Sequence, residues 1–127
     1  MRLSKRSISR VDGIDAILIA ILVDGIRESP HDFGIPEFGG LRTVEDQFSL
    51  YKKGVSKCDG MKNKSYHQSG KAFDIYIYEN GKANWDHEKL EAVANHLKGV
   101  AEEKYGVSLE WGGDWKSWQD RPHFQIK

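Results

Sequence analysis

Cysteine is almost absent from the sequence, and there is no excess of charge of either sign. Cys58 is the only cysteine among 127 residues, so the chain has no internal disulfide and no thiolate-rich metal site. The 19 lysines and arginines balance the 19 aspartates and glutamates, so no net field draws the protein towards nucleic acid or an anionic membrane. We therefore expect no nucleic-acid partner and no stable membrane association.

A long hydrophobic run is also missing. The basic segment MRLSKRSISR and the apolar segment after it resemble the first two regions of a signal peptide, but the uninterrupted apolar run covers only residues 16–23. A membrane span needs about 20 apolar residues, and no small-x-small cleavage site follows the run. We therefore expect no clear signal peptide and interpret the segment as an amphipathic core helix. The residues on its apolar face are Val11, Ile14, Leu18, Ile21, Leu22 and Gly25.

The remaining patterns predict one α+β domain over residues 1–127. Helices are predicted over residues 43–53, where the first residue is a typical N-cap, and over residues 86–106. Alternating apolar and polar residues at 73–78 predict a strand, which an Asn-Gly turn follows. The segments VSLEWGG and HFQIK near the C-terminus are typical of strands. These elements together predict a small antiparallel sheet flanked by helices.

Two histidines and an aspartate stand out as candidate metal ligands. His67 precedes the predicted strand that carries Asp74, and His123 begins the last strand-like segment. Asp74 is expected on the strand face opposite the core, and Gly70 would allow a tight turn between the first two ligands. Catalytic zinc sites typically use three protein ligands of these types. Spacing alone leaves open a simpler interpretation, in which His67 is a hydrogen-bonded loop residue.

The order of several motifs resembles one family of enzymes. The motifs are S-x-H-x-x-G-x-A-x-D over residues 65–74, D-x-x-H over residues 120–123 and GLRT over residues 40–43. They resemble zinc D-alanyl-D-alanine carboxypeptidases and L-alanyl-D-glutamate endopeptidases, and the short single-domain form looks like the endolysins of tailed phages. The resemblance implies a hedgehog- or D,D-peptidase-like fold, with zinc bound on the sheet face.

The resemblance also implies a role for each matching residue. The implied zinc ligands are His67, Asp74 and His123. Asp120 would be the catalytic general base, and Arg42 would bind a substrate carboxylate or stabilise an oxyanion. Ser65 would support the ligand loop or touch substrate, and Trp118, the tryptophan nearest to Asp120, is the aromatic residue most expected to contact substrate.

Some of these roles have alternatives. Glu110 or Asp114 would be the base if Asp120 is not, and would otherwise orient a ligand histidine. The remaining histidines lack partners at ligand spacing, and we interpret them as surface residues: His31, His87 and His96.

The implied function is hydrolysis of the L-alanyl-D-glutamate bond in the peptide stem of peptidoglycan during phage-driven lysis. The alternatives are a D,D-carboxypeptidase and a non-catalytic module that holds zinc. We expect a monomer without a separate cell-wall-binding domain. It would be made in the host cytoplasm and reach the wall with the help of a holin-type partner.

Overall fold

Four α-helices and six short β-strands form the protein, and the computed structural model describes all of residues 1–127. The helices are α1 Lys5–Arg10, α2 Ala16–Arg27, α3 Val44–Lys52 and α4 His87–Tyr105. The strands are β1 Phe33–Gly34, β2 Ala72–Asp74, β3 Tyr76–Glu79, β4 Lys82–Asn84, β5 Glu110–Trp111 and β6 His123–Gln125. Two 3₁₀ turns cover Tyr66–Ser69 and Gly112–Asp114.

The α+β architecture with small antiparallel sheets is confirmed, but the sheet is divided in two. One sheet has the strand order β1-β3-β4 and the other β2-β6-β5. The strand predicted over residues 73–78 is interrupted at Ile75, where the chain passes from one sheet to the other. There the Asp74 N–H donates to the Gly39 carbonyl at 2.8 Å, and the Ile75 N–H donates to the Pro122 carbonyl at 3.0 Å.

The predicted N-terminal core helix forms as α2 and packs against α4. Leu18, Ile21 and Leu22 are fully buried. The helix begins after Asp15, whose carboxylate caps the Ile17 N–H, so the helix is shorter at its start than the apolar pattern indicates. The basic segment before it forms the separate helix α1.

The expectation that His96 is a surface residue is wrong, because this histidine lies at the interface between α2 and α4. His96 is not a free surface histidine: it is half-buried, and its Nε2 donates to the Gly25 carbonyl at 2.7 Å. None of the helices combines the length and apolar character needed to cross a bilayer.

The second sheet carries the candidate ligands. In its register Asp74 lies opposite His123, and Glu110 lies opposite Gln125. The other face of the sheet is core, where Phe73 and Phe124 are fully buried, with ring centroids 5.0 Å apart. Because a slip of one residue would expose these rings, the core holds the polar side chains in register on the opposite face.

Candidate metal centre and active site

Three potential ligand atoms converge at the face of the second sheet. Asp74 Oδ1 lies 3.2 Å from His67 Nε2 and 3.2 Å from His123 Nδ1. The two imidazole nitrogens are 3.1 Å from each other. The structure therefore brings together the three residues that the sequence predicts as metal ligands.

A short capped turn places His67. The Ser65 hydroxyl accepts from the His67 N–H at 3.2 Å, and the Gln68 side chain accepts from the Ser65 N–H at 2.9 Å. Gly70 ends the turn in the left-handed conformation at a φ of 73°, which glycine adopts without steric cost. These contacts hold a ring that is only 1% exposed.

The hydrogen bonds on the far side of each ring show that the site suits a cation. The Gly40 carbonyl only accepts, so His67 Nδ1, 2.9 Å away, carries the proton and Nε2 keeps its lone pair. His123 Nε2 lies 2.7 Å from Gln125 Oε1 and donates to it, which leaves the lone pair on Nδ1. When both rings are neutral, two lone pairs and a carboxylate oxygen thus face one another, as the donor atoms of a cation site do.

The spacing of these atoms also fits a metal ion. Atoms bound to a tetrahedral zinc at about 2.0–2.1 Å lie roughly 3.3 Å apart, close to the separations observed here. Two neutral imidazoles and one carboxylate are ordinary zinc ligands, and hydrogen-bonded outer nitrogens are the usual support for ligand histidines.

The charges of the three groups are interdependent. Burial disfavours the Asp74 carboxylate, but the adjacent imidazoles of His67 and His123 more than offset this effect and keep the pKa of Asp74 well below its ordinary value. Burial likewise opposes a charge on His123, yet the Asp74 carboxylate outweighs it and raises the pKa of His123. The site is therefore a buried negative charge that attracts positive groups.

Arg42 contacts the ligand carboxylate from the outside. Its Nη2 donates to Asp74 Oδ2 at 3.1 Å, which leaves Oδ1 directed at the two histidines. Its Nε donates to the Phe38 carbonyl at 2.8 Å. The guanidinium lines the cleft, but its observed contacts orient Asp74.

Gln47 supports Arg42 and was missed from the sequence. Its side chain is fully buried, and its Oε1 accepts from Arg42 Nη1 at 3.0 Å. Its Nε2 donates to Ser56 Oγ and to the Cys58 carbonyl, both at 2.8 Å. A chain of contacts therefore runs from the loop at residues 56–58 through Gln47 and Arg42 to the ligand Asp74.

Replacing Gln47 with leucine is expected to lower the free energy of unfolding by about 1–3 kcal/mol, because donors and acceptors inside the protein lose their partners. Zinc affinity should fall as well, since Arg42 would no longer be held against Asp74. Denaturant titration and a zinc competition assay measure the two effects. Asn95→Leu, an exchange of an amide for leucine on the exposed face of α4, is the matched control. Equal stability of the two variants would contradict the prediction.

Asp120 lies in the cleft beside the ligands, on the loop before β6. Its N–H donates to the Gly112 carbonyl at 3.0 Å, and its own carbonyl accepts from the His123 N–H at 3.1 Å. A Cβ atom at Gly112 would lie 2.2 Å from that carbonyl oxygen, so only glycine permits the close approach. Burial, followed by repulsion from Asp74, raises the pKa of Asp120 above its ordinary value, and the nearby positive charges offset only part of this rise.

Glu110 and Asp114, the two alternative candidates for the general base, lie outside the cleft. Glu110 Oε2 accepts from Trp115 Nε1 at 2.8 Å and from Gln125 Nε2 at 3.1 Å, and the side chain does not line the cleft. Asp114 forms an exposed ion pair with Lys98 and is also outside the cleft. Of the three acids considered from the sequence, Asp120 alone faces the cavity.

The cleft has a volume of about 700 Å³ and is open enough for a peptide. Trp118 lines it and is 54% exposed, with a backbone φ of 49°, a left-handed conformation that is strained for a bulky residue. Three exposed lysines also line it, and none is paired with a carboxylate: Lys57, Lys64 and Lys116.

Three protein ligands beside an acid in an open cleft form an arrangement typical of hydrolytic metalloenzymes. The chain belongs to the phage L-alanyl-D-glutamate peptidase family, whose family model matches residues 1–125. The family resemblance drawn from the motifs is thereby confirmed.

Individual relatives agree with this family. The peptidoglycan L-alanyl-D-glutamate endopeptidase CwlK of Bacillus subtilis is 32% identical over 96 residues, which cover 68% of this chain and 57% of that protein. The L-alanyl-D-glutamate peptidase of Escherichia phage T5 is 36% identical over 100 residues, covering 78% of this chain and 69% of the phage protein. The chain thus spans less than two thirds of the Bacillus relative.

A solved structure confirms the fold. The crystal structure of the Serratia marcescens L-Ala D-Glu endopeptidase ChiX matches with a TM-score of 0.85 at 29% sequence identity. The match covers 100% of this chain and 90% of the Serratia chain.

Proposed function

We propose that this protein is a zinc-dependent peptidoglycan peptidase that hydrolyses the amide bond between L-alanine and D-glutamate in the peptide stem. The observation that carries the proposal is the convergence of His67, Asp74 and His123 in a cleft that also holds Asp120. Membership of the phage L-alanyl-D-glutamate peptidase family supports the choice of bond.

In this proposal His67 Nε2, His123 Nδ1 and Asp74 Oδ1 would hold zinc. Bound zinc supplies a Lewis acid, which lowers the pKa of water to about 7 and polarises the scissile carbonyl. Asp120 accepts the proton of the attacking water and passes it to the departing amine nitrogen. Its raised pKa suits the role of base, because a carboxylate of higher pKa accepts a proton more readily and remains acidic enough to release it to an amine.

The charge of the cleft suits the proposed substrate. A glutamyl residue inside a peptide stem keeps one free carboxylate after both of its peptide links are made. Lys57, Lys64 and Lys116 line the cleft without carboxylate partners, whereas the charge of Arg42 is paired with Asp74. An anionic stem would therefore be attracted into the cleft.

Digestion of purified peptidoglycan, followed by mass spectrometry of the new termini, tests the choice of bond. A new N-terminal D-glutamate is the expected product. Released D-alanine would instead establish the D,D-carboxypeptidase alternative. Zinc binding without any new terminus would establish the non-catalytic module.

Trp118 is the proposed substrate contact on the cleft wall. Replacing it with asparagine is expected to raise KM by about twofold to tenfold, the loss of one aromatic contact, with little change in kcat. The free energy of unfolding should not fall, because asparagine adopts a left-handed backbone more readily than tryptophan does. Steady-state kinetics on a soluble stem peptide measure the first effect, and denaturant titration measures the second.

Tyr78→Asn is the control for Trp118, since Tyr78 is 46% exposed and lies outside the cleft. An unchanged KM in Trp118→Asn would remove Trp118 from the substrate site.

The biological setting is proposed from the relationship to the phage T5 peptidase. We propose that the protein acts as a monomer in host-cell lysis, is made in the host cytoplasm, and reaches the wall after a holin-type partner permeabilises the membrane. Lysis on expression with a holin, and no lysis without one, is the expected result.

A further inference from the structure

We propose that Glu110 is a positioning residue that acts through Gln125 to fix the ring orientation and tautomer of His123. The two side chains are neighbours on the polar face of the second sheet, because Glu110 on β5 lies opposite Gln125 on β6. Gln125 is two residues from His123 on the same strand and therefore projects from the same face. This role rests on the metal site proposed above and adds a residue to it.

The direction of each hydrogen bond follows from the one before it. The Glu110 carboxylate only accepts, so the Gln125 group that lies 3.1 Å from its Oε2 is the amide Nε2. The Gln125 Oε1 is then turned towards His123 Nε2 at 2.7 Å and accepts its proton. The proton on Nε2 leaves the lone pair on Nδ1, which faces Asp74 and His67.

A comparison with His67 shows why Gln125 needs Glu110 to fix its orientation. The tautomer of His67 is set by the backbone carbonyl of Gly40, which can only accept a hydrogen bond. The tautomer of His123 is set by a side-chain amide, whose oxygen and nitrogen exchange places by a simple rotation. Without Glu110 that rotation would direct an N–H at His123 Nε2 and favour the proton on Nδ1, where it competes with the metal.

Glu110 also fixes a second neighbour of the ring. Its Oε2 accepts from Trp115 Nε1 at 2.8 Å, and the Trp115 ring packs against His123 with centroids 5.3 Å apart. One carboxylate oxygen thus anchors both side chains that contact the outer side of His123.

The test measures zinc dissociation constants by competition with a chromophoric chelator, in the parent protein and five variants. Glu110→Leu and Gln125→Leu are each expected to weaken zinc binding by about 10- to 100-fold, the usual effect of losing an outer-shell partner. The double variant should lose less affinity than the sum of the two single losses, because the hydrogen bond through which Glu110 fixes Gln125 is already absent in Gln125→Leu and only the Trp115 contact remains. Glu110→Gln removes the charge but keeps an oxygen acceptor, which Trp115 Nε1, a donor only, holds in place, so this variant should stay within about threefold of the parent protein.

Each alternative result has a defined meaning. Equal losses in Glu110→Gln and Glu110→Leu would show that the charge matters and would overturn the positioning role. So would additive losses in the double variant, or unchanged affinity in Glu110→Leu. Asp114→Leu, which removes an acid paired with Lys98 at the surface, is the matched control and should bind zinc normally. Failure of the parent protein to bind zinc would overturn the metal site as well, so the two proposals fail distinguishably.

Discussion

Replacing Asp120 with asparagine is expected to lower kcat by a hundredfold to ten-thousandfold, roughly the contribution of a general base, while the protein keeps its zinc. The reason is that the amide retains the size and polarity of the carboxylate but cannot accept a proton. Asp120 lines the cleft beside the proposed ligands without being one of them. Turnover of a stem peptide and the zinc content of the purified variant are the two measurements.

Asp114→Asn provides the control, since Asp114 belongs to the same part of the chain but pairs with Lys98 away from the cleft. That variant should be fully active. Full activity in Asp120→Asn would refute the proposed mechanism, and loss of zinc in that variant would make Asp120 a ligand instead of a base.

Removing one of the proposed zinc ligands is expected to abolish both metal binding and turnover. In His67→Ala or His123→Ala, two ligands remain, and the Asp74 carboxylate is left with one fewer partner in a buried site. The zinc content should fall to background in each variant. His87→Ala, an exposed histidine at the start of α4, should keep both zinc and activity.

Because a metal bound at this site would stabilise the folded state, we expect a chelator to lower the melting temperature of the parent protein. A ligand present at a hundred times its dissociation constant stabilises the folded state by about 2.7 kcal/mol. The melting temperature should therefore rise with zinc concentration in the parent protein and stay constant in His67→Ala. A melting temperature that is insensitive to zinc and to chelator in both proteins would contradict the metal site.

Much of the local structure was predictable because it depends on neighbouring residues. The helix after Thr43 begins where the capping pattern places it, with the Thr43 hydroxyl accepting from the Asp46 N–H at 3.0 Å. The long helix α4 ends at Gly106, as a glycine C-cap predicts. The family was also predictable, since its motifs keep their order along the chain.

Two features were not predictable from sequence patterns. The alternation over residues 73–78 continues across the break at Ile75, because both sheets pack on one core and the apolar residues stay buried. In α3 the apolar residues Val44, Phe48 and Tyr51 are 45%, 37% and 45% exposed, while Gln47 is fully buried. Hydrophobic periodicity therefore points to the wrong face of that helix.

The domain organisation stays a prediction, as do the monomeric state and the identity of the metal. The dissociation constant and the zinc content test the proposed metal ligands directly.

The sequence by itself determined the three longer helices, the candidate ligands and the family, because capping, periodicity and ordered motifs can be recognised without the tertiary structure. Only the tertiary structure decided which nitrogen of each histidine faces Asp74, and which of three acids faces the cleft. Those outcomes depend on hydrogen bonds between residues far apart in sequence: His67 with Gly40, Arg42 with Asp74, and Glu110 with Gln125. The register of the second sheet and the packing of its core bring these partners together, and no local pattern records them.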